Sequence, residues 1–99
     1  MNTPYVVSGT ASSAAPLTVD FENHSSDAWT GTGSKGYSAH GYVANQGASV
    51  VDVYLTDRHN VTRVIPLIGY SSQPWDWEVV KVRVVGRSTS AVPVVVGAR

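Results

Sequence analysis

The chain has 99 residues, seven Lys and Arg against seven Asp and Glu, a formal net charge of zero, and no cysteine. These numbers fit one domain with a modest core and exclude disulfide staples and thiolate chemistry. The missing basic surplus argues against a nucleic-acid partner, and zero net charge removes self-repulsion between close-packed copies.

Charge is unevenly spread along the chain. Lys81, Arg83, Arg87 and Arg99 make the end basic, and Asp20, Glu22 and Asp27 make the early part acidic. Two solvated faces, or complementary faces between neighbouring subunits, both fit this pattern. The start, MNTPYVVSG, lacks the basic and apolar regions of a secretory signal. No apolar run is long enough to span a bilayer, so no membrane partner is expected. Asn23-His24-Ser25 and Asn60-Val61-Thr62 match the glycosylation pattern by chance in that setting.

Residues 1–16 read as an extended N-terminal arm and residues 17–99 as a single β domain. Within the arm, residues 3–7 fit a short edge strand, because Pro4 is tolerated only at an edge or a strand start. The small residues that follow need something to lie on, either their own domain or a neighbouring subunit, and the reading favours the neighbour. Leu17, Val19 and Phe21 alternate with Thr18, Asp20 and Glu22, which predicts a strand. Residues 27–47 are broken by Gly31, Gly33, Gly36, Gly41 and Gly47, a spacing that suits bends and bulges. A twisted strand over 37–43 is the one element expected there.

Residues 49–55 and 61–68 read as a hairpin, with Val51, Val53 and Leu55 on one face. Pro66 places the second strand at an edge or bulge. Residues 69–74 read as a loop. Residues 79–85 show the clearest period of two: Val80, Val82 and Val84 on one side, Lys81 and Arg83 on the other. A turn at 86–89 leads to a terminal strand that Pro93 marks as edge or bulged. The sum is an all-β chain: a small antiparallel β-sandwich or barrel of about six or seven short strands.

No residue set demands an enzyme. Serines are present with His24, His40 and His59, but none sits in a nucleophile-elbow context. Asp20, Glu22 and His24 share one parity, yet zinc normally takes more imidazole or thiolate ligands. Asp57 and Asn60 offer calcium only a weak start. Asp76 and Glu78 lie on one side of a single strand rather than across a groove, as a glycosidase pair requires. The stretch 31–36 has glycines and Lys35 but lacks the order of a phosphate-binding loop. No catalytic, metal or cofactor-binding residues are therefore expected.

The aromatic load carries more information. Three tryptophans in this length is high, and Phe is nearly absent. Trp29, Trp75 and Trp77, with Tyr5, Tyr37, Tyr42 and Tyr70, are candidates for core filling, for subunit contacts, or for stacking on sugar rings. Arg83 and Arg87 join them as interface candidates. Stacking on sugars predicts saturable tryptophan-fluorescence quenching in glycan titrations.

The second half carries VDVYLTD at 51–57, VTRVIPL at 61–67, WEVVKVRVVG at 77–86 and STSA at 88–91. In this it resembles small all-β structural proteins of tailed phages and gene-transfer particles, such as those at the base of head spikes. The resemblance implies a virion or decoration protein made in the host cytoplasm, assembling as a homo-oligomer with other particle proteins through its β domain and arm. No catalytic or ligand residue carries over. The rival expectation is a carbohydrate-binding module using surface Trp and Tyr residues. A small secreted inhibitor or toxin ranks third, since cysteines and a signal are missing.

Overall fold

The computed structural model of the chain describes residues 5–21 and 37–98. Its strands are β1 (Tyr5–Ala11), β2 (Leu17–Asp20), β3 (Gly41–Asn45), β4 (Val51–Asp57), β5 (Thr62–Leu67), β6 (Ser72–Trp75), β7 (Val79–Gly86) and β8 (Val92–Ala98). They form two four-stranded sheets, ordered β1-β8-β3-β6 and β2-β7-β4-β5. The first strand pairs with the last, β2 with β7, β3 with β6 and β4 with β5, all antiparallel. A chain doubled back on itself in this way and then rolled into two layers is an eight-stranded jelly roll. The expected all-β sandwich is therefore present, with eight strands among the described residues against the six or seven expected.

The core lies between the sheets and is built from alternating positions. Val82 and Val84 of β7 are buried while Lys81 and Arg83 are exposed. From β4, Val51, Val53 and Leu55 enter the same layer, and Val43, Val94 and Val96 meet them from the first sheet. Burying each such side chain contributes about 1.5–3 kcal/mol before chain entropy is counted. With a single Phe in the chain, the large volumes come from Phe21 and Trp75, whose ring centroids lie 6.3 Å apart. The Trp75 indole N–H donates to Ser38 Oγ at 3.3 Å, so its one polar atom is satisfied inside the core.

Four expectations need adjustment. The segment read as an arm lies, over Tyr5–Ala11, on its own domain rather than on a neighbour: it is β1, in register with β8 from Tyr5↔Ala98 to Ala11↔Val92. Val7, Gly9 and Ala11 face inward and are small or β-branched, and Ala11 is fully buried. The second is β6, which falls mostly within the stretch read as a loop. It is only four residues long and carries Pro74 at a sheet edge, where a missing N–H is tolerated.

Third, Pro93 does not mark an edge, since β8 lies between β1 and β3. It is the second residue of its strand. The ladder to β3 begins one residue later, at Val94, and the Pro93 carbonyl still accepts from Gln46 N–H at 2.9 Å. Fourth, the strand expected over 37–43 begins only at Gly41, after a single bridge between Ser38 and Val79. Pro66, by contrast, sits in β5 at a sheet edge, as its chemistry requires.

Candidate functional site

The candidate residues separate into covered and open groups. Trp75 is 3% exposed and belongs to the core. Trp77 packs against the core under the guanidinium of Arg63, 4.9 Å from its ring centroid. Its indole N–H is buried with no acceptor among the described residues. Tyr37 is half-buried beneath Arg58 at 4.7 Å. Arg83 lies over Tyr54 at 5.9 Å. Arg87 grips Asp52 with two hydrogen bonds, at 2.9 and 3.2 Å. Tyr5 opens β1, and Trp29 falls outside the described residues. Tyr42 and Tyr70 alone among the candidate side chains that the structure describes are large, exposed and free of a covering arginine.

Both stand on the outer surface of the first sheet. Register places Val6, Gly97, Tyr42 and Pro74 in one row across it, and Ser8, Val95, Ala44 and Ser72 in the next. A third row continues from Thr10 to Pro93, whose carbonyl bonds Gln46. Tyr70 closes that row through its N–H bond to the Gly47 carbonyl at 3.1 Å. No position in these rows carries a charge.

Local backbone sets each tyrosine. Tyr42 faces Gly97 across the ladder, and a Cβ at position 97 would come within 2.2 Å of its ring. Gly97 therefore lets the phenol lie down across β8 as a platform. Sequence reasoning missed this glycine, because its partner is 55 positions away in the chain (97 − 42). Tyr70 is 77% exposed and has a φ of 60°, a left-handed conformation that non-glycine residues seldom adopt. Gly69 before it passes so close to the Ala48 carbonyl that a Cβ would meet it at 2.6 Å.

Asn45 builds the floor beneath Tyr70. It is buried, donates to the carbonyls of Ser49 at 2.7 Å and Leu67 at 3.1 Å, and accepts from Gly47 N–H at 3.0 Å. One side chain thus ties the β3–β4 connection to the end of β5. The shallow cleft above it is lined by Ala44, Asn45, Gln46, Tyr70, Ser71 and Ser72, with a volume of about 350 Å³. That is near the lower bound for small-molecule sites. Its chemistry is amide, hydroxyl and one aromatic wall.

A second cleft, of about 360 Å³, is lined by Asp57, Arg58, His59 and Glu78. Its charges are committed to one another. Arg58 pairs with Glu78, which raises the already high arginine pKa. The Asp57 carboxylate accepts from Val61 N–H at 3.0 Å and His59 N–H at 2.8 Å, closing the β4–β5 turn. The first of these bonds does most to hold Asp57 below the usual carboxylate range; burial opposes it and the second adds to it. Asp52 is likewise held low, chiefly by its hydrogen bond from Arg87. Asp52, Asp57 and Glu78 are thus tied into structure, and among the described residues no three His, Asp or Glu gather as metal ligands.

No family model matches the chain, and no curated protein matches it in sequence. In fold it is similar to the crystal structure of the Yersinia pseudotuberculosis-derived mitogen (YPM), with a TM-score of 0.53 and 7% identity over 99% of this chain and 86% of that one. At that identity the likeness is one of fold alone.

It nevertheless overturns the resemblance to phage and gene-transfer particle proteins. A solved fold that this chain matches over nearly its whole length is that of a bacterial mitogen, not of a head-spike or decoration protein. The assignments to virion, capsid and bacteriophage fall with that resemblance. The residues that carried it, 51–67 and 77–91, are the alternating valines and polar turns of β4, β5 and β7. Any buried antiparallel strand selects such residues.

Proposed function

We propose that the protein is a non-enzymatic carbohydrate-binding module whose site is the Tyr70 cleft and the adjoining Tyr42 platform. The observation that carries this reading is Tyr70 itself: a 77% exposed aromatic in a left-handed backbone, at the wall of a cleft without charge. Strain of this kind persists where the surrounding structure over-determines it, often at ligand sites. The apolar face of a sugar ring packs on a phenol, while its hydroxyls exchange hydrogen bonds with Gln46, Ser71 and Ser72. From Tyr42 to the row of Gln46 and Tyr70 is four residues along β3, about 13 Å at the strand rise. That separation suits a short oligosaccharide better than a single ring.

The absence of charge along this face argues for neutral glycans over sialylated or sulfated ones. Jelly rolls include lectin domains among several unrelated uses, which is an argument from analogy only. Neither Trp75 nor Trp77 lines the cleft, so quenching of these two tryptophans is not the readout. The test is a glycan array followed by NMR titration of the hits. Shifts centred on Gln46, Tyr70 and Ser72, with an affinity loss of about tenfold or more in Tyr70→Ala, are expected. Silence across a broad panel of neutral and acidic glycans defeats the reading.

A further inference from the structure

Among the described residues the two open sheets have four edge strands, β1 and β6 in one and β2 and β5 in the other. Edges invite pairing with other chains and are usually blunted by shortness, proline or charge. Three of the four are blunted. β2 and β6 are four residues each, with Asp20 in the first and Pro74 in the second. β5 carries Arg63 and Pro66. β1 is seven residues, YVVSGTA, with no charge and no proline.

We infer that the outer edge of β1 receives β1 of a second copy of this chain, in antiparallel register, giving one continuous eight-stranded sheet. The strand is complementary to itself. An antiparallel pairing centred on Ser8 sets Val6 opposite the partner's Thr10 and Ser8 opposite its own copy. These β-branched and hydroxyl pairs are favourable across a ladder, and no like charges meet. The contact is isologous and closes after two copies. Seven residues of edge bury less than a standard stable interface, so the dimer is concentration-dependent.

Antiparallel edges joined in one sheet are related by a two-fold axis perpendicular to that sheet. Both copies of the outer face then look the same way. The consequence for function rests on the glycan reading: two Tyr70 clefts presented together would gain avidity on a multivalent surface. The pairing itself does not depend on it.

The test is the mass of the full chain in solution, by sedimentation and light scattering, from about 1 µM to 1 mM. The expected result is a rise from 10.5 kDa toward twice that value. Deleting residues 1–16 is unsuitable, because it removes an edge strand of the sandwich and bares β8. Ser8→Lys is suitable, since Ser8 is exposed, and it should hold the chain at monomer mass. Ser8→Glu should do the same, and an equimolar mixture of the two should recover the doubled mass. Thr10→Lys, also exposed, is the second variant should either Ser8 variant fail to fold. Val64→Lys on the β5 edge should leave association unchanged. A wild-type chain that stays at 10.5 kDa throughout, or a folded Ser8→Lys that still doubles, overturns the proposal. Glycan binding by a monomeric wild type would overturn the pairing and leave the glycan site standing.

Discussion

Every charged residue that a described strand carries lies on one of the two sheets. Asp20 is on β2, Asp52 and Asp57 on β4, Arg63 on β5, and Lys81 and Arg83 on β7. The strands β1, β3, β6 and β8 carry none. Both sheets bury the same kind of inward face, so the core does not account for the asymmetry. On the second sheet opposite charges sit side by side: Asp20 is in register with Lys81, and Arg87 clasps Asp52. These pairs lie within a single copy and face water. The first sheet offers flat surface, hydroxyls, amides and two phenols, with no charge to keep a partner away. A surface of that composition is suited to neutral ligands and to strand pairing, and the other is suited to staying solvated.

The largest effect expected on this contrast comes from beneath the first face. Asn45→Ala removes three hydrogen bonds and leaves two carbonyls and one N–H short of a partner. Unsatisfied buried groups of this kind cost about 1–3 kcal/mol each when water cannot reach them. A loss of about 2–4 kcal/mol is expected in urea denaturation, together with loss of binding at the Tyr70 cleft. A smaller change on the same face is Gly97→Val, whose side chain must displace the Tyr42 ring, at a cost of about 1–3 kcal/mol. The matching operation on the second sheet, Val64→Ala at an exposed position, should stay within about 0.5 kcal/mol. If Gly97→Val is equally silent, the phenol does not lie where a platform needs it.

The segregation of charge by sheet was not legible from the sequence, and the reason is topological. Strands that share a sheet, such as β1 and β8, come from opposite ends of the chain. Charge read along the chain gave an acidic beginning and a basic end, whereas the fold interleaves them. What was legible is what depends on neighbours in sequence: the alternation in β7, β4 and β2, the β4–β5 hairpin, and Pro66 at an edge. Trp75 and Tyr42 look alike in sequence, as aromatic residues near a glycine or proline, yet β3–β6 pairing points one inward and the other outward. Asn45 gave no signal at all, since its bond to Leu67, 22 positions away, exists only in the folded sandwich.

Acid separates the two faces in a further way. The folded-state pKa values of Asp52 and Asp57 are depressed, by Arg87 for the first and by the Val61 and His59 N–H groups for the second. A depressed carboxylate contributes stability that is fully present above its unfolded pKa, about 3.9. That contribution is lost as pH falls through the lower folded value. The denaturation midpoint should therefore decline below about pH 4. Asp52→Asn should soften that decline, by the few tenths of a kcal/mol that exposed pairs supply. Substitutions confined to the first face should leave its shape alone.

Salt gives the smallest and sharpest expectation. Raising ionic strength from about 0.05 to 0.5 M shortens the Debye length from roughly 14 Å to 4 Å. It weakens the exposed pairs Arg58–Glu78 and Arg87–Asp52 on the second-sheet side of the molecule. Nothing in the Tyr42 and Tyr70 rows responds to that screening, because stacking, amide bonds and strand pairing carry no net charge. Glycan affinity at the cleft and the midpoint of β1 self-association should each change less than about twofold across that range. A steep salt dependence in either would mean that charged residues at the margin of the first sheet, and not its neutral face, govern the interaction.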